Sequence, residues 1–442
     1  MTMVGRGVGS FPRVAVLTYL LFVAFGPAAI AADEASADES VATDDAENGD
    51  DAEPQGFGGP GSTASQILSD EQLGKQDCQK GLASHLRLYC DFKRVLHREN
   101  GIRYGVDYNA LVQGATQSLG EDEAAGGVVR LFGTWTLLDP GEGATGFLTF
   151  KAENRHRLGT AIAPQALGGE FGYVGLTALP FSDAGTLVTN LYWQQSLPAD
   201  RVAYVFGIVD VTDYVSVYGL VNPWTDFSNL VFSTDPTIAV PDQGLGTAVR
   251  WRFGANYYVV AGLADANGDP SDPLDAFDSF FGEGELFKHL ELGRYGSWEN
   301  RVDENVHLTL WQVDERTEAG IPSGWGAAFS YSTTLHERWL SFLRLGYGDG
   351  GGALLDRSVS TGLAYKAADN RSVVGLGLNW SRPNEESFGA AAGDQYTAEA
   401  YWRFQLATHL SITPDVQIVK DPALNPGQDL VWVLGLRARV FF

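Results

Sequence analysis

The chain is poor in methionine, cysteine and lysine, and it has no long apolar run beyond its first thirty residues. Of its 442 residues two are Met, at positions 1 and 3, and two are Cys, at 78 and 90. Lysine supplies only seven of the 30 basic residues. No later stretch approaches the ~20 apolar residues a spanning helix needs, which excludes helical membrane spans. The seven His are scattered, without an HExxH pair or a Cys/His cluster, and no GxSxG or Walker sequence occurs. The usual signatures of metal, acyl-transfer and phosphate chemistry are therefore missing, and no cofactor is expected. Basic charge is also scarce: 55 acidic residues give a net charge of −25. Nucleic acid is excluded as a partner, because binding a phosphate backbone needs a basic face.

What is present begins with an export pattern. Arg6 and Arg13 are the only charges ahead of an apolar run from Val14 to Phe25, and Ala29-Ile30-Ala31 offers a small-residue cleavage site. Residues 1–31 read as a secretory signal. A membrane anchor is the competing reading, but the run is short for a bilayer. Residues 33–54 hold ten acids and no base, a composition that cannot bury enough surface to offset ordering entropy, so 32–61 is expected to be a disordered acidic linker. Residues 62–100 look helical. Leu82, Leu86, Tyr89 and Leu96 recur at helical spacing, and Ser69 with Gln72 fits a capping box. This reads as a short periplasmic or lumen-edge helix. Export permits a Cys78–Cys90 disulfide. On one straight helix those residues would stand roughly 18 Å apart, beyond the ~7 Å a disulfide allows. A bridge requires a bend, and the sequence leaves the question open.

From Gly101 to the end the hydrophobic period is two. In one segment Tyr104, Val106, Tyr108 and Ala110 share a face opposite Arg103, Asp107 and Asn109. Val129, Leu131 and Trp135 oppose Arg130 and Thr134; Val249, Trp251 and Phe253 oppose Arg250 and Arg252. Tyr396, Ala398, Ala400, Trp402, Phe404 and Leu406 oppose Thr397, Glu399, Arg403 and Gln405. Apolar residues facing lipid and polar residues facing water is the pattern of an outer-membrane barrel. A soluble sandwich also alternates, but many segments here reach the ~9–11 residues a spanning strand needs, and sandwich strands average nearer ~5–6.

The expectation is therefore an all-β chain: a transmembrane antiparallel β-barrel over 101–442, preceded by the helical segment. Strands are placed near 102, 127, 145, 186, 201, 244, 256, 283, 304, 324, 339, 358, 372, 395, 410 and 430. About sixteen strands satisfies the even number of a bacterial single-chain barrel and encloses an aqueous channel. Tight breaks at Ala199-Asp200 and Asn370-Arg371 suit periplasmic turns; longer breaks at 268–282 and 383–394 suit outer loops. In the last strand Leu430, Trp432, Leu434, Leu436, Ala438, Val440 and Phe442 form one outward face. Such a strand with a terminal aromatic resembles the signal read by the outer-membrane assembly machinery.

Several segments resemble the carbohydrate-selective porins of the OprB family: Arg201-Val-Ala-Tyr-Val-Phe-Gly-Ile-Val-Asp210, Asn222-Pro-Trp-Thr-Asp-Phe-Ser-Asn229, Pro241-Asp-Gln-Gly-Leu-Gly246, Ala261-Gly-Leu-Ala-Asp-Ala-Asn-Gly-Asp-Pro270 and Gly435-Leu-Arg-Ala-Arg-Val-Phe-Phe442. The resemblance covers roughly 100 to 442 and implies a sixteen-stranded outer-membrane barrel of a Gram-negative bacterium that passes monosaccharides and related small solutes by diffusion. The acidic tract departs from the family pattern, as does Val209, where a polar residue more often precedes the Asp.

The candidate site follows from residue chemistry. The segment 212–243 is too long for a turn and would narrow the pore if folded inward. A pyranose has apolar C–H faces and hydroxyl edges, so Trp224 with Asp226 and Asn229 suits sugar contact; Asp210 and Asn222 flank them. The competing reading is a loop that only packs against the wall. Arg103, Arg130, Arg155, Arg250, Arg252, Arg344, Arg403, Arg437 and Arg439 face inward by the same period. Their planar donor forks suit hydroxyls and carboxylates, or else pair with inward acids such as Asp107, Glu153 and Glu399. Asp265, Asn267 and Asp269 alternate as in a calcium loop, but Pro270 stands where the turn glycine belongs. Three alternatives stay open: a general or anion-preferring pore, a structural or adhesion barrel, and a lipase built on a Ser near His156 or His307.

Overall fold

In the computed structural model the chain is described over residues 57–74, 87–141, 143–368, 371–389 and 392–442. The expected signal and most of the acidic linker lie outside these residues, as do Leu82, Leu86 and Asn370. So does Cys78; Cys90 is disulfide-bonded. Two helices precede the strands, α1 (Thr63–Gly74) and α2 (Arg87–Asn100). No described helix is long and apolar enough to cross a membrane.

Sixteen strands follow. They are β1 (Ile102–Ala115), β2 (Glu123–Leu138), β3 (Gly146–Arg157), β4 (Gly185–Ser196), β5 (Val202–Val209) and β6 (Gly244–Phe253). Next come β7 (Tyr257–Asp265), β8 (Leu286–Tyr295), β9 (Asn305–Val313), β10 (Gly324–Leu335) and β11 (Trp339–Gly350). The last are β12 (Leu355–Lys366), β13 (Ser372–Pro383), β14 (Gln395–Ala407), β15 (Leu410–Lys420) and β16 (Leu430–Phe441). Each pairs antiparallel with its neighbours in sequence, and β1 closes on β16, with Ala110 opposite Ala438 and Leu111 opposite Arg437. Closure leaves no strand edge unpaired, the condition for backbone to survive in lipid.

The period-two pattern sets the two faces. Leu131, Leu191, Leu292, Leu376 and Leu434 point outward and are exposed. Aromatic side chains ring both ends of this belt: Trp135, Trp251, Trp339 and Trp402 at one, Trp325, Tyr347, Tyr396 and Trp432 at the other. Amphipathic rings settle at headgroup level, so the two girdles mark the membrane boundaries. The first girdle lies at the end closed by the short connections 254–256, 336–338 and 408–409. The second lies at the end that carries 158–184, 210–243, 266–285 and 384–394. Short turns belong on the periplasmic side and long loops outside. At the β4–β5 turn Ala199 and Asp200 both take positive φ, 64° and 47°, which suits a tight reversal.

The bore is not an empty water channel. The segment 210–243 folds into it and brings its own aromatic core: Phe227 lies 4.9 Å from both Phe232 and Tyr401, and Tyr218 lies 4.9 Å from Phe342. Phe342 and Tyr401 are inward residues of the wall strands β11 and β14. A long loop in water would leave these rings exposed; against apolar patches of the wall they are buried. Residues 57–74 also lie inside the barrel, with Phe57, Ser62, Thr63, Gln66 and Ile67 buried.

Candidate functional site: the constriction

The inward loop is fixed first by its own turns. Asp210 accepts from the Thr212 amide at 3.0 Å, Asn222 from the Trp224 amide at 3.1 Å, and Asn229 caps a short helix through the Val231 amide at 3.2 Å. These are Asx-type contacts, in which a short polar side chain imitates the backbone. The wall then grips the loop. Arg437 on β16 donates to the main-chain oxygens of Pro223 and Asp226, both at 2.6 Å, and to the Ser228 hydroxyl at 3.2 Å. Glu399 on β14 accepts from the amides of Ser228 and Asn229 at 2.7 and 3.0 Å. Arg344 on β11 donates to the main chain at Thr234 and to Ser216. Buried main-chain groups far from regular structure thus find charged partners, which satisfies them more strongly than neutral ones would.

Several predicted site residues are therefore pins rather than free lining. Asn222 donates to Gln66 at 3.0 Å, Asn229 donates to Gln417 at 2.9 Å, and Asp226 accepts from the Tyr401 hydroxyl at 3.1 Å. Arg130 pairs with Asp107 on β1, its Nε donating at 2.8 Å, and Arg439 donates to the same carboxylate at 2.8 Å. Arg250 and Arg252 gather at the periplasmic turn, where both bridge Asp200 and stack over Trp298 at 4.6 and 4.1 Å. Arg103 donates to His97 at 2.9 Å. Arg403 lies buried on the inner wall.

Three predicted residues do come together. Arg155, Asp210 and Trp224 line one cavity of about 350 Å³ on the outer side of the loop, within the ~300–1,000 Å³ range of small-molecule sites. Trp224 also carries the Arg130 guanidinium 3.9 Å from its ring centroid and packs near Phe181. The cavity holds further groups the sequence did not single out: Lys151, Asp213, Asp242 and Gln243. Glu153, expected as an inward acid that pairs with an arginine, also lines it, bonded to Arg155 at 2.8 Å. Asp213 sits 4.0 Å from Lys151 and accepts from Asn190 at 3.1 Å. Burial outweighs the lysine and pushes the Asp213 carboxyl up to about 7, with Asp210 adding to the shift. Asp242 is raised by burial and by Asp210. Lys151 was detectable as the one inward lysine of β3; Asp213 and Asp242 carried no signal, because only the fold of the loop brings them here.

Asp265, Asn267 and Asp269 are occupied by turn formation. Asp265 accepts from the Asn267 amide at 3.0 Å and from Ser279, Asp269 accepts from the Ser271 amide at 2.8 Å, and Asn267 donates to Glu283 and Glu285. Among the described residues no group of three His, Cys, Asp or Glu is placed to hold a metal ion. His156 meets Tyr108 at 3.2 Å and Asn154 at 3.1 Å, and His307 meets Asn305 at 2.9 Å.

A closed sixteen-stranded barrel with a lipid-facing belt, two aromatic girdles and an inward loop around a polar cavity is an outer-membrane porin. The model of the carbohydrate-selective porin family, OprB, matches residues 148–334 and 293–442. The chain belongs to that family. Among solved structures it is similar to Pseudomonas putida OprB at high pH, with TM-score 0.62 and 15% identity over 80% of this chain and 97% of that one. The same protein at low pH aligns with TM-score 0.47, 14% identity, and 80% and 96% coverage. A loop-deleted OmpT of Vibrio cholerae aligns with TM-score 0.46, 14% identity, and 77% and 99% coverage. No curated protein matches the sequence.

Proposed function

We propose that the chain passes monosaccharides and related small solutes by passive diffusion across the outer membrane of a Gram-negative bacterium, which it reaches by Sec export. The supporting observation is the cavity beside the inward loop. It sets an aromatic edge, Trp224, among charged and amide groups from Lys151, Arg155, Asp210 and Gln243. A pyranose needs an apolar surface for its C–H face and planar polar groups for its hydroxyls, and this wall offers both. An anion-preferring pore fits less well: Glu153 and Asp210 offset Lys151 and Arg155 in the cavity, and Asp213 and Asp242 add negative charge as they ionise. The terminal strand, with its aromatic end, serves recognition by the outer-membrane assembly machinery. The test is current block of the purified protein in planar bilayers by added monosaccharides. Graded block supports the reading; none at any concentration removes it.

A further inference from the structure

Residues 57–74 lie inside the barrel along the sector of wall from β4 through β1 to β16, beneath the inward loop. At one end the Phe57 amide donates to Gln194 on β4 at 3.2 Å, and its ring meets Tyr214 edge-on at 5.3 Å. The chain then presses directly on the loop. The Gly59 amide donates to the Asp213 carbonyl at 2.7 Å. A Cβ at Gly58 would lie 2.6 Å from that oxygen, and one at Gly59 would lie 2.8 Å from the Val217 Cβ. Glycine is required here by closeness, not by its backbone angles. One turn into α1, Gln66 accepts from Asn222 of the loop at 3.0 Å. At the far end Asp70 receives both Nη atoms of Arg439 at 2.8 and 2.7 Å, and Arg439 also holds Asp107. Glu71 lies 3.7 Å from Arg103 at the periplasmic end of β1.

From these contacts we infer that residues 57–74 form a second layer of the constriction, so that the permeating solute is filtered by the loop and by this segment in series. A helix of twelve residues is ~18 Å long; α1 packs along the inner faces of β1, β2 and β3, and the chain leading into it reaches the cavity at Gly61, against the same loop that lines it. Its hold is non-covalent: ion pairs of Asp70 with Arg439 and of Glu71 with Arg103, a few hydrogen bonds, and the contacts of the Phe57 ring with Tyr214 and Arg250. The barrel wall closes without it, since all sixteen strands pair with one another. Removing it therefore widens the path without breaking the wall.

The experiment is unit conductance in potassium chloride and swelling of liposomes in neutral solutes of graded size, with the full chain as reference. Three variants are compared: deletion of 57–74, Gly59→Val, which drives a side chain into Val217, and Asp70→Asn, which removes the charge held by Arg439. The expected result is higher unit conductance and entry of larger solutes, greatest for the deletion. If the deletion fails to assemble, the two point variants decide. Variants that insert, conduct as the parent does and differ only in resistance to heat would show a purely structural brace and overturn the inference. Because the readout is salt current and size cut-off, it is independent of whether monosaccharides block the pore.

Discussion

Arg437 on the last strand donates to the main-chain oxygen of Asp226 at 2.6 Å, fastening the constriction to the wall across almost half of the chain. The fork also reaches Pro223 and Ser228, so one side chain fixes the stretch that carries Trp224. Arg437→Ala leaves buried carbonyls without a donor, at ~1–3 kcal/mol, while the sixteen-strand wall keeps its pairing. The expected outcome is assembled, heat-modifiable protein with larger and noisier single-channel currents. Unchanged current would show that the loop is held by other contacts.

The neighbouring residue answers to lipid instead of the lumen. Leu436 is exposed on the outer face and pairs with Val112 of β1. Leu436→Arg places a charge in the apolar belt, which costs about 2–4 kcal/mol at the bilayer midplane. The assembled fraction on unheated gels should fall, with the surviving channels unaltered in selectivity. Deleting Phe442, whose amide pairs with the Val106 carbonyl at 2.9 Å, should act in the same direction.

Asp213 is expected to make the pore's ion preference depend on pH. Its carboxyl is pushed up to about 7 by burial, against the pull of Lys151 and the Asn190 hydrogen bond. Its neutral form is favoured by the fold, so its contribution to stability is complete below the ordinary carboxylate range and is lost as pH rises through about 7. The same rise adds a negative charge to the cavity. Reversal potentials in a salt gradient should shift toward cation preference as pH rises through 7, and Asp213→Asn should abolish the shift.

Trp224 carries the apolar part of the proposed sugar contact. With the Arg130 guanidinium stacked at 3.9 Å, its ring is also held by a cation–π contact, about 2 kcal/mol when desolvated. Trp224→Ala should weaken monosaccharide block and raise salt conductance together. Sugar block that survives at full strength would move the contact elsewhere in the lumen.

Much of the barrel was legible because lipid and water impose a strict alternation on every strand. Predicted starts at 244, 324, 339, 372, 395, 410 and 430 coincide with β6, β10, β11, β13, β14, β15 and β16. At β2 the structure begins at Glu123, four residues before the expected 127, because Ala124, Ala125 and Gly126 carry no contrast between faces. The helical stretch expected over 62–100 contains two helices, α1 in the bore and α2 at its periplasmic rim. The destinations of inward polar residues were not legible. Arg155 and Arg437 have the same period and charge, yet one lines the cavity and the other is sealed beneath the loop. That difference depends on how 210–243 folds, and the loop follows no period. Tyr401 and Phe342 were missed for the converse reason: they are apolar residues on a face expected to be wet, and the loop is what keeps them dry.

The cavity beside Trp224 is the proposed sugar path. Its most direct test is the current through single channels of the purified full chain as monosaccharide is added to one side. The expected result is a graded, saturable reduction in current that weakens in Trp224→Ala and in Asp210→Ala. Current unaffected by any monosaccharide, together with strong anion selectivity, would contradict it.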